Sequence, residues 1–315
     1  MKKALYFFLF IFSVLTSCKG DEKTDFVYDP PVPLGDPFIM LHENIYYAYG
    51  TNAENGIEVY TSEDLTSWKK QPELALKSED SWGDRWFWAP EIYYIEERNT
   101  FFMYYSADEH ICVATSESPL GPFKQEVKQP VIADEKCIDN SLFIDDDGTP
   151  YTYFDRFNDG LNIWVAALED DLQTLKPSTL TKCINVSQEW EEVWPRVNEG
   201  AFVIKHKDLY YLTYSANSYE SPSYGIGFAT ATSPYGPWTK YEGNPILQKP
   251  EDLVGVGHSA MFKDKAGDLK VVFHAHHSKD SIHPRAMYIA DVSFTDDEIP
   301  VMQISTNILR PKLMR

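Results

Sequence analysis

The hydrophobic positions of the chain fall into short runs that are dense in Tyr, Phe and β-branched residues and are separated by polar turns. Runs of this length and composition are typical of β-strands. Five of the runs are similar to one another: Ile45–Gly50, Phe101–Ala107, Pro150–Asp155, Leu209–Ala216 and Leu269–Ala275. A second strand pattern follows each run, so the repeating unit is a small antiparallel sheet.

The unit recurs about every 50 residues, a period at which each copy can form one blade of a β-propeller. The outer corner of the unit also repeats, because the pattern of Ser118–Phe123 is found again in Ser233–Trp238. The sequence therefore predicts an all-β fold, a five-bladed β-propeller, and we place it in a single domain at residues 33–315.

Each predicted blade begins with a short group that is unusual for a strand. The groups are Gly35-Asp36-Pro37, Trp88-Ala89-Pro90-Glu91, Ile138-Asp139-Asn140, Asn198-Glu199-Gly200 and Gly257-His258-Ser259. Innermost strands run the same way around a propeller channel, so these groups should form a ring at one mouth. The spacing predicts one equivalent position per blade, occupied by Asp36, Glu91, Asp139, Glu199 and His258.

Carboxylates that recur in this register are costly unless they have a function. Like charges held close together raise each other's pKa, and a buried charge needs compensation. One acid at such a position could arise by chance, but three acids in register with the repeat are harder to dismiss. The sequence therefore predicts a catalytic centre that contains Asp36, Asp139 and Glu199.

The charge of the chain limits its partners. The 48 acidic and 28 basic residues give a formal net charge of −20. An acidic surface repels nucleic acid and anionic polymers, so we expect no nucleic-acid partner and favour a neutral polysaccharide or oligosaccharide. Cys112, Cys137 and Cys183 are scattered over a long chain, which does not indicate a disulfide framework.

The first residues predict the location of the protein. Two lysines precede an apolar run that is too short to span a bilayer, which is typical of a signal peptide at residues 1–17. Leu15–Cys18 resembles the bacterial lipobox, in which Cys18 carries the lipid after cleavage, and residues 18–32 suit a flexible tether. We therefore predict a bacterial cell-envelope protein, periplasmic or on the outer surface, that reaches the membrane only through this lipid.

Taken together, the strand-start motifs resemble those of glycoside hydrolase family 43, from about Pro33 to Ile304. The matching segments are Gly35–Ile39, Trp88–Glu91, Ile138–Asp145, Asn198–Phe202 and Gly257–Ser259. The resemblance implies an inverting enzyme in which Asp36 is the general base and Glu199 the general acid. Asp139 would orient the acid and tune its pKa. Glycosidic cleavage independently needs one protonated carboxyl and one ionised carboxyl on opposite faces of the sugar.

The resemblance also implies roles for residues around the acids. Trp88 is expected to form a wall of the sugar pocket, since an aromatic ring covers the apolar face of a sugar. Arg285 resembles a family arginine that hydrogen-bonds the terminal sugar, and we place Ile138 and His258 beside the substrate as well. His258 would either approach a structural calcium through water or be a hydrogen-bonded structural histidine. The chemistry itself requires no cofactor.

The catalytic motifs leave the substrate open. We favour an α-L-arabinofuranosidase that acts on plant polysaccharide or oligosaccharide, and the alternatives are a β-xylosidase or a galactan-cleaving enzyme. An alternative of another class is a non-catalytic glycan-binding surface lipoprotein. Asn140 and Ala201 stand where the family often has proline, and neither position carries a reacting group.

Overall fold

Antiparallel pairing of the apolar runs divides the chain into five sheets. The computed structural model describes residues 30–194 and 196–314. The first two sheets form blades one and two. Blade one contains β1 (Gly35–His42), β2 (Ile45–Thr51), β3 (Gly56–Ser62), β4 (Ser67–Lys70) and β5 (Leu76–Lys77). Blade two contains β6 (Trp88–Ile95), β7 (Thr100–Ala107) and β8 (His110–Ser116).

The remaining blades each have four strands in the described residues. Blade three contains β9 (Cys137–Ile144), β10 (Pro150–Phe157), β11 (Leu161–Ala167) and β12 (Thr181–Ile184). Blade four contains β13 (Asn198–His206), β14 (Leu209–Ala216), β15 (Gly225–Ala231) and β16 (Thr239–Lys240). Blade five contains β17 (Gly257–Lys263), β18 (Leu269–Ala275), β19 (Ala286–Phe294) and β20 (Met302–Ile304). Short 3-10 helices lie at Ser78–Asp80, Glu96–Arg98, Pro177–Thr179 and Glu189–Glu192.

The first strands of the blades pack around a common axis. In order around that axis, β1 contacts β6, β6 contacts β9, β9 contacts β13, β13 contacts β17, and β17 contacts β1. The predicted five-bladed β-propeller is therefore confirmed. A last strand, β21 (Lys312–Leu313), pairs with β4 and joins the end of the described chain to blade one.

Tyrosines explain part of the aromatic richness of the second strands. Tyr49, Tyr104 and Tyr153 occupy equivalent positions on β2, β7 and β10, and all three are buried. Each hydroxyl donates a hydrogen bond to a backbone carbonyl of the next blade. The acceptors are Pro119 (2.5 Å), Leu172 (2.6 Å) and Pro234 (2.8 Å). A buried tyrosine thus contributes apolar area to the core and also satisfies its polar tip.

The two ends of the central channel differ in character. Beyond their first few residues, all five first strands line an apolar cavity of about 1060 Å³. The starts of the same strands carry the acidic and polar groups predicted from the sequence. The fold therefore concentrates the candidate chemistry at one mouth.

The predicted signal peptide, Cys18 and most of the tether lie outside the described residues. Pro31 already pairs with Lys312, and Val32 is fully buried, at the end of the segment that we predicted as a tether. Among the residues that the structure describes, no helix is long and apolar enough to cross a membrane.

Candidate active site

A bulge at the start of each first strand orients the site. Strand pairing is interrupted in β1, β6, β9, β13 and β17, in each case across two residues. The first bulged residue has a positive φ in every blade. These residues are Asp36 (45°), Ala89 (45°), Asp139 (57°), Gly200 (61°) and His258 (51°). Four of them are not glycine, and such strained positions are concentrated at functional sites.

The bulges revise the register expected from the sequence. Asp36, Asp139 and His258 occupy the equivalent bulged position, as predicted. Glu199 lies one residue before its bulge, and Glu91 lies at the first paired position after its bulge. The expectation that all five residues share one position was therefore wrong for these two glutamates, although Glu91 is buried and Glu199 partly buried at the same mouth as the aspartates.

Each bulged residue points its amide N–H away from the strand ladder and toward the preceding blade. A side chain at the end of that blade's second strand accepts the hydrogen bond. The pairs are Ala89 to Thr51 (3.0 Å), Asp139 to Ser106 (3.1 Å), Gly200 to Asp155 (3.0 Å), His258 to Ser215 (2.7 Å) and Asp36 to His274 (3.1 Å). We call these five bonds the inter-blade ring, and they satisfy backbone groups that the bulges would otherwise leave unpaired.

Asp36 lies against a cation. The two terminal nitrogens of Arg285 donate to its two carboxylate oxygens at 2.6 and 2.8 Å, and Thr51 donates to Oδ2 at 2.6 Å. Burial opposes ionisation of Asp36, but Arg285 and the imidazoles of His258 and His274 outweigh it and hold the pKa of Asp36 well below its ordinary value. Asp36 is therefore an ionised carboxylate.

The glutamates of blades two and four are in the opposite state. Burial, followed by the charge of Asp139, raises the pKa of Glu199 to about 8, although Tyr224 donates to its Oε1 at 2.7 Å. Burial and the charge of Asp36 raise the pKa of Asp139 to about 7. Burial also raises the pKa of Glu91 to about 8. Glu199 is therefore mostly protonated at neutral pH.

His258 lies between two of the acids. Its Nδ1 is 3.4 Å from Oδ1 of Asp36 and 3.8 Å from Oδ2 of Asp139. A Cβ atom at residue 200 would lie 3.0 Å from the same nitrogen, so Gly200 allows this close approach.

The calcium that His258 was predicted to approach through water is not confirmed. Asp36, which is adjacent to His258, is paired with the guanidinium of Arg285. In the described ranges, no group of three or more His, Cys, Asp or Glu residues could hold a metal ion. We therefore assign no metal to the site.

The residues predicted to contact substrate lie around the acids. Trp88 is half-buried and stacks on Trp86, with ring centroids 5.7 Å apart and an interplanar angle of 18°. Arg285 is buried and is engaged by Asp36 on one side and by the ring of Tyr219 on the other, at 4.7 Å. Ile138 is buried directly before the Asp139 bulge. The geometry thus places Arg285 directly on the Asp36 carboxylate.

The inter-blade ring and Tyr224 were missed by sequence reasoning. The five ring acceptors all stand near the end of one of the repeated apolar runs. A polar residue at that point in every repeat was a signal that could have identified them. Tyr224 lies in an irregular segment before β15 and has no counterpart in the repeat that would have identified it.

Comparison with known proteins gives consistent results. The sequence model of the family described as "Glycosyl hydrolases family 43" matches residues 30–300. A solved structure of an endo-1,4-beta-xylanase from Bacteroides thetaiotaomicron is similar, with a TM-score of 0.86 and 49% identity, over 90% of this chain and 98% of that chain. A thermostable family-43 glycoside hydrolase is similar with a TM-score of 0.80 and 39% identity, over 90% and 98% of the two chains. Among curated proteins, the beta-D-galactofuranosidase xynD from Aspergillus niger is 25% identical over 87% of this chain and 83% of its own length.

Proposed function

The chain belongs to glycosyl hydrolases family 43, which makes it a glycoside hydrolase, and from this premise we propose that it is an inverting exo-glycosidase. The observation that carries the proposal is the opposite state of the Asp36 and Glu199 carboxyls at one mouth. Asp36 is held ionised beside Arg285, whereas Glu199 is held protonated by burial and by Asp139. Carboxyls whose environments separate their pKa values in this way suit the roles of base and acid.

In the proposed mechanism, Glu199 protonates the leaving glycosidic oxygen while Asp36 removes a proton from the attacking water. Water attacks the face of the sugar opposite the leaving group, so the anomeric configuration is inverted. The two carboxyls stand on blades one and four and not on neighbouring blades, which suits a mechanism with a water between Asp36 and the anomeric carbon. Asp139 raises the pKa of Glu199 and keeps the acid protonated.

For the substrate we propose a terminal furanoside, with α-L-arabinofuranoside of a neutral plant polysaccharide or oligosaccharide as the first candidate. The similarity to a beta-D-galactofuranosidase supports a furanoside, because β-D-galactofuranose and α-L-arabinofuranose share the same ring stereochemistry. The similarity to a solved endo-1,4-beta-xylanase supports the alternative, a β-xyloside. The stacked pair of Trp86 and Trp88 offers an aromatic surface on which such a sugar can lie.

The test is hydrolysis of nitrophenyl α-L-arabinofuranoside, β-D-galactofuranoside and β-D-xyloside by purified protein. Activity on the arabinofuranoside above the other two supports the first candidate, and preference for either of the others replaces it. Proton NMR of the first-formed sugar, before mutarotation, should show inversion. A retained configuration would exclude Asp36 as a general base. Glycan binding with no turnover of any glycoside or polysaccharide would favour the non-catalytic lipoprotein.

We also propose that Cys18 anchors the protein to a bacterial membrane through a lipid. The support is the lipobox-like Leu15–Cys18 after an apolar run. Replacing Cys18 by Ala should release active enzyme from the membrane fraction, because lipid supplies the anchoring free energy. If the variant still partitions with membranes as the wild type does, the anchor lies elsewhere.

A further inference from the structure

One member of the inter-blade ring differs from the other four. Thr51, Ser106 and Ser215 accept through hydroxyl oxygens, and His274 accepts through an imidazole nitrogen. Burial, with a further effect of Arg285, lowers the pKa of His274 to about 3, so this imidazole is neutral. Asp155 is the only ring acceptor that can carry a negative charge, and its side chain is fully buried.

The two oxygens of Asp155 have different surroundings. Oδ2 accepts the amide N–H of Gly200 at 3.0 Å. Oδ1 is buried and has no N–H or hydroxyl donor among the described residues. The Asp155 carboxyl lies beside the carboxyl of Asp139, because Asp155 pairs with Ile138, the residue directly before the Asp139 bulge, and the two acids interact electrostatically. Two adjacent carboxyl groups can hydrogen-bond to each other only if one of them holds a proton, because an ionised carboxylate is an acceptor only.

The groups around Asp155 determine which acid keeps the proton. Asp139 on β9 and Glu199 on β13 face it with acidic charge, and the buried thiol of Cys137 also lies near it. Arg285 and His258 approach Asp139 and Glu199 but are shared with Asp36. Burial first, and then Asp139 and Glu199, hold the pKa of Asp155 well above its ordinary value.

We propose that Asp155 is a positioning residue that stays protonated, donates its O–H to the Asp139 carboxylate and accepts the Gly200 N–H with its other oxygen. It thereby ties Asp139 on blade three to the residue that follows Glu199 on blade four. This inference rests on the proposed roles of Asp139 and Glu199. Under this proposal, the inter-blade ring does more than connect neighbouring blades. Its Asp155 bond also fixes the distance between Asp139 and Glu199.

Two substitutions distinguish a protonated, positioning Asp155 from an Asp155 that only accepts the Gly200 bond and from an ionised Asp155. Asp155→Asn keeps an acceptor for Gly200 and an N–H donor for Asp139 but cannot ionise. Asp155→Ser introduces the residue found at the equivalent position of blades two and four. Serine can still accept from Gly200, but its short side chain does not span both partners. A ring acceptor with no further task would tolerate both changes, and an ionised carboxylate would tolerate neither.

The assay is the pH profile of kcat on the nitrophenyl glycoside that the wild type hydrolyses, together with the melting temperature of each variant. We expect Asp155→Asn to keep turnover within about threefold and both limbs of the profile within about half a pH unit, since a one-for-one donor replacement leaves the geometry in place. We expect Asp155→Ser to lower kcat about tenfold to a hundredfold, the scale of a misplaced catalytic group.

Several outcomes would overturn the inference. They are wild-type turnover in Asp155→Ser, a large loss of turnover in Asp155→Asn, or a shift of the basic limb in Asp155→Asn. If Asp155→Ser does not fold, Asp155→Asn decides alone, with infrared difference spectroscopy as its second measurement. The C=O band of one protonated carboxyl should disappear relative to the wild type, and its persistence would contradict the proposal. Asp139→Asn is measured in parallel: wild-type turnover there would refute the proposed role of Asp139 itself, whereas loss there with normal Asp155→Ser would refute only this inference.

Discussion

The carboxyls on the two sides of the acidic mouth have pKa values that are shifted in opposite directions. On the side of blades one and five, Asp36 is paired with Arg285 and receives a further bond from Thr51. On the side of blades two to four, Glu91, Asp139 and Glu199 each have a raised pKa. Asp36 is as buried as Glu91 and Asp139, and Glu199 is partly buried. The difference shows that a buried cation, and not burial itself, decides which acid is ionised.

The largest expected effect comes from removing the acids on both sides. Asp36→Asn, Asp139→Asn and Glu199→Gln should each lower kcat by at least about a hundredfold, the usual scale for loss of acid–base catalysis. Glu91→Gln is the matched control, because Glu91 is a buried acid at the same mouth and has no proposed role in the reaction. Steady-state kinetics on folded variants measure the difference. A folded variant of Asp36, Asp139 or Glu199 with near-normal turnover would lose its assigned role.

A second experiment removes the cation that distinguishes the two sides. Without Arg285, the pKa of Asp36 should rise, since the opposite charge that stabilises the ionised form is gone. Asp36 must be ionised to act as a base, so the acidic limb of the pH profile of kcat/KM should move up by about one pH unit or more in Arg285→Met. Arg285→Lys keeps the charge and should move the limb less. An unchanged acidic limb in Arg285→Met would show that Asp36 does not set it.

A third experiment removes one charge from the acid side. Asp139 raises the pKa of Glu199, so Asp139→Asn should lower that pKa. Glu199 must be protonated to act as an acid, and the basic limb of the residual activity should therefore move to lower pH. Because the two groups titrate together, the limb reports an apparent value for the pair. A basic limb that stays in place, or that moves up, would contradict the proposed coupling.

The last expected effect concerns stability, and not turnover, on the acid side. The pKa of Glu91 is about 8 in the folded chain and ordinary in the unfolded chain, so the unfolded state releases this proton first as the pH rises. The wild type should therefore lose stability between about pH 4.3 and 8, by at most about 1.4 kcal/mol per pH unit from this group.

Glu91→Gln cannot ionise, and its advantage over the wild type in urea unfolding should grow from pH 5 to pH 8. Glu97→Gln, at an exposed turn, is the control and should show no such trend. If the difference between Glu91→Gln and the wild type is the same at pH 5 and pH 8, Glu91 is not held protonated by the fold.

The blades and the catalytic mouth could be predicted because they repeat along the sequence. Strand runs recur at a fixed period, and Asp36, Asp139 and His258 recur with them. The bulges could not be predicted, since backbone dihedral angles depend on the tertiary contacts of each strand start. The register of Glu91 and Glu199 was wrong for this reason.

The pairing of Asp36 with Arg285 could not be predicted from the sequence either. The two residues are 249 positions apart, and only closure of the propeller brings them together. Arg285 was predicted to hold the sugar, because the resemblance gave no information about what its guanidinium contacts. The hydrogen-bond partners of Asp155 and Ser106 were not evident for a similar reason, since the amide N–H groups that they accept come from the next blade.

The inter-blade ring also links folding to the onset of activity. Four of its bonds join blades that follow each other along the chain, whereas the bond from Asp36 to His274 joins partners 238 residues apart. Closing so long a loop costs the most chain entropy, so we expect this bond to form after its neighbours. A chain with only blades one to four folded holds Glu199 but has neither His274 nor Arg285 to place Asp36. With the proposed site, we therefore expect a partly made or partly folded copy to cut no sugar until its last blade docks.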